Sequence, residues 1–102
     1  MINYKISYLP IFEKDLENII DYIALTLNNP HAANELLNKV EHAIKERSKN
    51  PLSFEPFISS KEREFTYYRI YVEHFVIFYV VIEDIIEIRR IFYNKRNITS
   101  LF

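Results

Sequence analysis

Apolar and polar positions change period several times along this chain, and each change marks an element. Residues 3–8 set Tyr4, Ile6 and Tyr8 against Asn3, Lys5 and Ser7, the alternation of a strand with one buried face. Pro10 closes that run. From Ile11 the period becomes helical: Leu16, Ile19, Ile20, Ile23 and Leu27 fall on one stripe, and Glu13, Asp15 and Glu17 lie near the positive end of the helix dipole. This predicts a helix over 11–27. Asn28, Asn29 and Pro30 break it, with Asn29 placed as N-cap and Pro30 as first helical residue of a second helix. Its stripe is Ala33, Leu36, Leu37, Val40, Ala43 and Ile44, and Lys45, Arg47 and Lys49 close it. The short connection makes the two helices an antiparallel hairpin.

Residues 50–64 hold Pro51 and Pro56 without a sustained period, which predicts one long loop. Three runs rich in β-branched and aromatic residues follow, at 65–72, 75–82 and 85–92, separated only by Glu73-His74 and Glu83-Asp84. Two-residue connections impose an antiparallel meander. The run Phe75 to Ile82 is apolar throughout, so it belongs at the sheet centre with both faces covered. The helical hairpin covers one face. The other is expected to be an apolar groove shaped for a partner unless residues 50–64 and the C-terminal tail fold over it. The fold class is therefore α+β, in the order β-α-α-β-β-β, with the helical hairpin packed on one face of the meander.

Composition narrows the setting. One domain over residues 1–102 is expected from the length, and 49% hydrophobic and 16% aromatic content exclude a disordered chain. With no Cys, neither disulfides nor thiolate metal sites are available, and no run reaches the length of a membrane span, so a cytoplasmic protein without membrane partner is expected. The chain also has no Gly, so left-handed turn positions fall to other residues, for which His74, Asp84 and Asn94 are the candidates.

Net charge is -1, but it is unevenly spread: residues 10–50 carry five Lys or Arg against seven Asp or Glu, whereas residues 88–102 carry Arg89, Arg90, Lys95 and Arg96 and no acid. No metal-ligand cluster, phosphate loop or nucleophile motif is present, and no cofactor is expected. The chemistry-bearing residues are Arg69, His74, Arg89, Arg90, Tyr93, Lys95 and Arg96. Simple alternation puts Ile86, Ile88, Arg90 and Phe92 on one face of the last strand, and Ile85, Glu87, Arg89, Ile91 and Tyr93 on the other. Arg90, Lys95 and Arg96 can form a cationic site for phosphate or a charged transition state, with Tyr93 or His74 as proton carrier or stacking platform. The plain alternative is a solvated strand edge whose charges prevent pairing.

The segments DLENIIDYIA, NPHAANELLNKVEHAIKERSKNP, YYRIYVEHFVIFYVV and IIEIRRIFYNKRNI, in this order, resemble the RelE/ParE superfamily of bacterial toxins, and the NPHAANELL helix start is nearer its ParE-like branch. The resemblance covers nearly the whole chain. It implies the toxin of a type II toxin–antitoxin module, held in a hetero-oligomer by a cognate antitoxin whose C-terminal part is disordered until it wraps the toxin. It also implies matches at Arg69, Arg90 and Arg96 as cations, Tyr93 or His74 as acid or base, and Lys95 as a substrate-binding residue. RelE-type members cut ribosome-bound mRNA, while ParE-type members poison DNA gyrase. The chain departs from the RelE-type pattern at Val76, where an Arg commonly follows the aromatic residue, and in a tail lacking Tyr. The resemblance thus leaves three activities in view: a gyrase-directed toxin, a ribosome-dependent mRNA endonuclease, and an antitoxin-binding co-repressor.

Overall fold

The computed structural model describes residues 3–58 and 64–94. Strand β1 (Lys5–Tyr8) runs directly into helix α1 (Pro10–Asp21), with Pro10 in its first turn, where a missing N–H costs nothing. Helix α1 then widens into a π-helical turn, Tyr22–Thr26, sealed by the Leu27 N–H bond to the Tyr22 carbonyl at 3.0 Å. Asn28 adopts φ 51 and turns the chain. Helix α2 (Pro30–Arg47) starts as its sequence predicts: the Asn29 side chain accepts a hydrogen bond from the Ala32 N–H at 3.1 Å.

Strands β2 (Pro56–Phe57), β3 (Tyr67–Val72), β4 (Phe75–Ile82) and β5 (Ile85–Tyr93) complete a five-stranded sheet in the order β1-β5-β4-β3-β2. The β3-β4-β5 meander is antiparallel as expected, and β1 joins β5 in parallel. The loop expected over 50–64 is not wholly irregular, because Pro56 and Phe57 pair with Tyr68 and Tyr67. Two residues are too short a run to show a period in the sequence.

Left-handed conformations fall on Glu73 (φ 53) and Glu83 (φ 55), the first residues of the two hairpin turns, and not on His74, Asp84 or Asn94. The twist of a tight hairpin requires φ > 0 at its first turn position, whatever side chain is there.

The helices cover one face. Phe12, Leu36, Val40 and Ile44 pack against Tyr68, Ile70, Val72, Ile77, Tyr79, Ile86, Ile88 and Ile91. Leu27, expected on the helix stripe, is exposed, because the π turn shifts its angular position. Beneath this core lies a polar clamp. The Tyr79 hydroxyl donates to the Pro51 carbonyl at 2.7 Å and accepts from Arg47 Nη1 at 3.0 Å, while the same nitrogen donates to the Arg69 carbonyl at 2.8 Å. Arg47 also lies 3.5 Å from the centre of the Phe54 ring. Burial raises the Tyr79 hydroxyl above its ordinary pKa, and Arg47 opposes part of that rise.

Candidate functional site

The second face of the sheet is not a bare apolar groove. Val76, Phe78 and Val80 of β4 point to it, yet each is at most 1% exposed. Flanking side chains cover them: Phe57 meets Phe78 edge-on at 5.0 Å, and Phe92 meets it at 6.0 Å. What this face presents outward is a set of arginines against aromatic rings. Arg69 lies opposite Phe78 in the β3-β4 register, with its guanidinium 5.1 Å from the Phe57 ring centre and 5.9 Å from that of Tyr71.

The last strand reaches this face through an irregularity that alternation could not foresee. Phe78 pairs with Arg90 and Tyr79 with Ile88, so Arg89 is an extra residue, a β-bulge. The bulge inverts the parity of β5. Ile86 and Ile88 share the helix-side core with Ile91, whereas Glu87, Arg89 and Phe92 serve the second face. The expected face assignments for Arg90, Ile91, Phe92 and Tyr93 are thereby corrected, Arg90 falling opposite Phe78 on the side away from Ile86 and Ile88.

Arg89 Nη2 pairs with Glu87 Oε2 at 2.8 Å and its Nη1 donates to the Tyr67 hydroxyl at 3.2 Å, next to the Phe65 ring. Arg90 takes a different course. Strand β1 ends at Tyr8, opposite Ile88, so β5 has no strand beside it further on, and α1 fills that place. Asp15 accepts from Arg90 Nε at 2.7 Å, from Arg90 Nη2 at 3.0 Å and from the Ile91 backbone N–H at 3.2 Å. The hydrogen bonds it donates to Asp15 raise Arg90 above its usual pKa. The plane of Arg90 also lies 4.5 Å from the Phe92 ring centre. Arg90 is thus fixed as one arm of a fork-shaped ion pair.

His74 and Tyr93 are on the opposite side of the sheet. They line a cleft of about 640 Å³ with Asn18, Ile19, Tyr22, Ile23, Leu27 and Phe75, at the tip of the helical hairpin. The His74 carbonyl accepts from the Asn94 N–H at 2.7 Å, a bond that continues the β4-β5 ladder past Phe75 and Tyr93. Lys95 and Arg96 lie outside the described residues.

Among the described residues, then, the sequence candidates divide three ways: Arg69 on the second face, Arg90 held by Asp15 at the strand edge, and His74 with Tyr93 at the cleft. Asp15, Arg47 and Glu87 are partners that sequence reasoning missed. Asp15 reads in the sequence as one of three acids in the first turns of a helix, with no local mark to set it apart from Glu13 and Glu17. Among the described residues no group of His, Asp and Glu is placed to hold a metal ion, and no helix is long and apolar enough to cross a membrane.

The fold is shared with solved structures. The chromosomal ParDE toxin–antitoxin system from P. aeruginosa contains a chain that superposes with a TM-score of 0.71 at 18% identity, covering 91% of this chain and 98% of that one. The RelB-RelE antitoxin–toxin complex from Methanococcus jannaschii gives a TM-score of 0.56 at 22% identity, covering 94% and 98%. YafQ from E. coli strain BL21(DE3) gives 0.58 at 17% identity, covering 97% and 98%. No curated protein matches the chain in sequence. The family model described as the ParE toxin of the type II toxin–antitoxin system parDE matches residues 6–98, and the chain belongs to that family of toxins.

Proposed function

We propose that this chain, once released from a cognate antitoxin in the cytoplasm, arrests growth by binding a protein target of the DNA gyrase kind. The observation that carries this reading is the separation, among the described residues, of the candidate cations from the candidate proton carriers. Arg69 occupies one face of the sheet, His74 and Tyr93 the other, and Arg90 is committed to Asp15. General acid–base cleavage of a phosphodiester needs the proton carrier and the charge-stabilising cation within reach of one scissile bond. A surface of arginines backed by aromatic rings suits a protein contact instead. The ParE family match and the likeness to a ParDE chain support the same branch. Purified toxin should inhibit supercoiling of relaxed plasmid by gyrase at concentrations that arrest growth. Unimpaired supercoiling at those concentrations would refute the reading.

The mRNA-cutting alternative draws on Arg69 standing among aromatic rings on the second face of the sheet. Primer extension on ribosome-bound message after induction decides it, since cuts in the A site belong to that activity alone. A co-repressor without toxicity would leave growth unchanged when the chain is expressed by itself.

A further inference from the structure

The end of α1 has two features that its own residues do not account for. Residues 22–26 read Tyr-Ile-Ala-Leu-Thr, without Pro or Gly, and nothing in that run bars an α-helix, yet it forms a π turn. Leu27 completes an α-helical stripe with Leu16, Ile19, Ile20 and Ile23, yet its side chain is 55% exposed at the rim of the cleft, whose walls include Ile19, Ile23 and Phe75. The second feature follows from the first. A π turn advances about 80° per residue against about 100° in an α-helix, so five such residues set Leu27 back by roughly 90° from the stripe.

What imposes the wider turn lies downstream. The Asn29 N–H donates to the Ile23 carbonyl at 3.0 Å, and Asn28 takes φ 51, which brings the chain round to Pro30 at the start of α2. In an α-helix the same Ile23 carbonyl accepts from the Leu27 N–H four residues on, which here donates to Tyr22 at 3.0 Å. The short connection thus favours one register of this turn. Burial of the Leu27 side chain favours the other.

We infer that the end of α1 is a two-register element with Leu27 as a built-in plug. When the helix continues as α through Leu27, the isobutyl group swings into the cleft against Ile23 and Phe75; in the π register the cleft stands open. The exchange moves each hydrogen bond of the turn by one residue and leaves the sheet untouched. An apolar ligand seated in the cleft is compatible with the π register alone and shifts the balance toward it. This holds whatever the toxin's target, so its failure and that of the gyrase reading are separate results.

Two variants of the full chain set the register, and benzene is the probe of the cleft. Deleting Ala24 removes the surplus residue of the π turn and leaves Leu27 outside the cleft. Inserting one Gly between Asn28 and Asn29 frees the helix to run on as α. In the insertion variant the Leu27 amide should show its through-bond NMR coupling to the Ile23 carbonyl and its methyl groups an Overhauser effect to the Phe75 ring. The parent and the deletion variant should couple Leu27 to Tyr22. Benzene should bind the insertion variant roughly tenfold more weakly than the deletion variant, as for a cleft open in about a tenth of the molecules. Leu27→Ala in the insertion background should restore most of that affinity. In the parent, the Leu27 methyl groups should show relaxation dispersion that benzene suppresses. If the insertion variant does not fold, this last measurement decides, and a flat profile overturns the inference. A folded insertion variant that still couples Leu27 to Tyr22 overturns it too, as does benzene that binds both variants equally or moves no cleft resonance in the deletion variant.

Discussion

Asp15 and Arg90, 75 positions apart in the chain, form a two-pronged ion pair that also takes up the Ile91 N–H at the edge of β5. One carboxylate thereby ties the first helix to the last strand, at the point where β1 stops and the sheet would otherwise end in open hydrogen-bonding groups.

Asp15→Asn retains the shape but removes the charge and offers one oxygen where two now serve. We expect a loss of about 1.5–3 kcal/mol, the range for hydrogen bonds to charged groups, read from urea unfolding. Arg90→Lys should lose less than Arg90→Ala, because a point charge keeps part of the attraction without the fork.

Val76 is the position where the RelE-like pattern would carry an Arg. It is 1% exposed, lying between Tyr71 and Phe92 in the sheet register. Val76→Arg should cost about 3–5 kcal/mol, as for an unpaired buried charge, and should yield unfolded chain in place of a nuclease. A soluble, folded and mRNA-cutting variant would contradict this account.

Tyr79→Phe deletes the donor to Pro51 and the acceptor for Arg47 and should cost about 1–3 kcal/mol. The pH sign follows from the raised pKa. The folded-state value exceeds the unfolded one, so the native hydroxyl's contribution is complete below the ordinary tyrosine value of 10.0 and is lost as pH rises through the folded value. Alkaline unfolding should therefore be steeper in the parent than in Tyr79→Phe, as followed by tyrosinate absorbance and circular dichroism.

The two hairpin turns offer a paired test. Glu83 and Glu73 both adopt left-handed φ, but Glu73 also pairs with Lys39 of α2 at 2.6 Å. Glu83→Gly should stabilise the chain by roughly 0.5–1 kcal/mol, relief of αL strain outweighing the added freedom of the unfolded chain. Glu73→Gly should gain less, since it also gives up the ion pair. At acid pH the two should converge: Lys39 lowers the Glu73 pKa, so that pair contributes above the unfolded carboxylate value and fades as pH falls through the folded one.

His74→Ala and Tyr93→Phe should leave growth inhibition intact, because both side chains face the cleft across the sheet from Arg69. Loss of toxicity in a folded His74→Ala variant would reinstate the proton-carrier role expected from the sequence.

Much of the fold was legible because its elements are marked locally. Asn29-Pro30 specifies a helix start, and the unbroken apolar run of β4 specifies a strand covered on both sides. What escaped depends on contacts between distant residues. The parallel docking of β1 on β5 leaves no trace in either strand's own period. Phe57 and Phe92 cover Phe78 from two other strands, so a face that looks bare along one strand is closed in three dimensions. The candidate site was legible as residue types but not as a constellation, because a bulge at Arg89 and an acid in the first helix decide where the arginines go.

The same bulge has a consequence for comparing this chain with its relatives. Strand β5 consists of two half-strands of opposite phase, Ile85–Ile88 and Arg90–Tyr93, joined by one surplus residue. An alignment that carries this strand across without an offset at Arg89, against a relative lacking the bulge, will equate interior positions with surface ones for the rest of the strand. Ile91 would be matched to a surface residue and Phe92 to a core one, and substitutions there would be misread as losses of hydrophobicity when only the phase had moved.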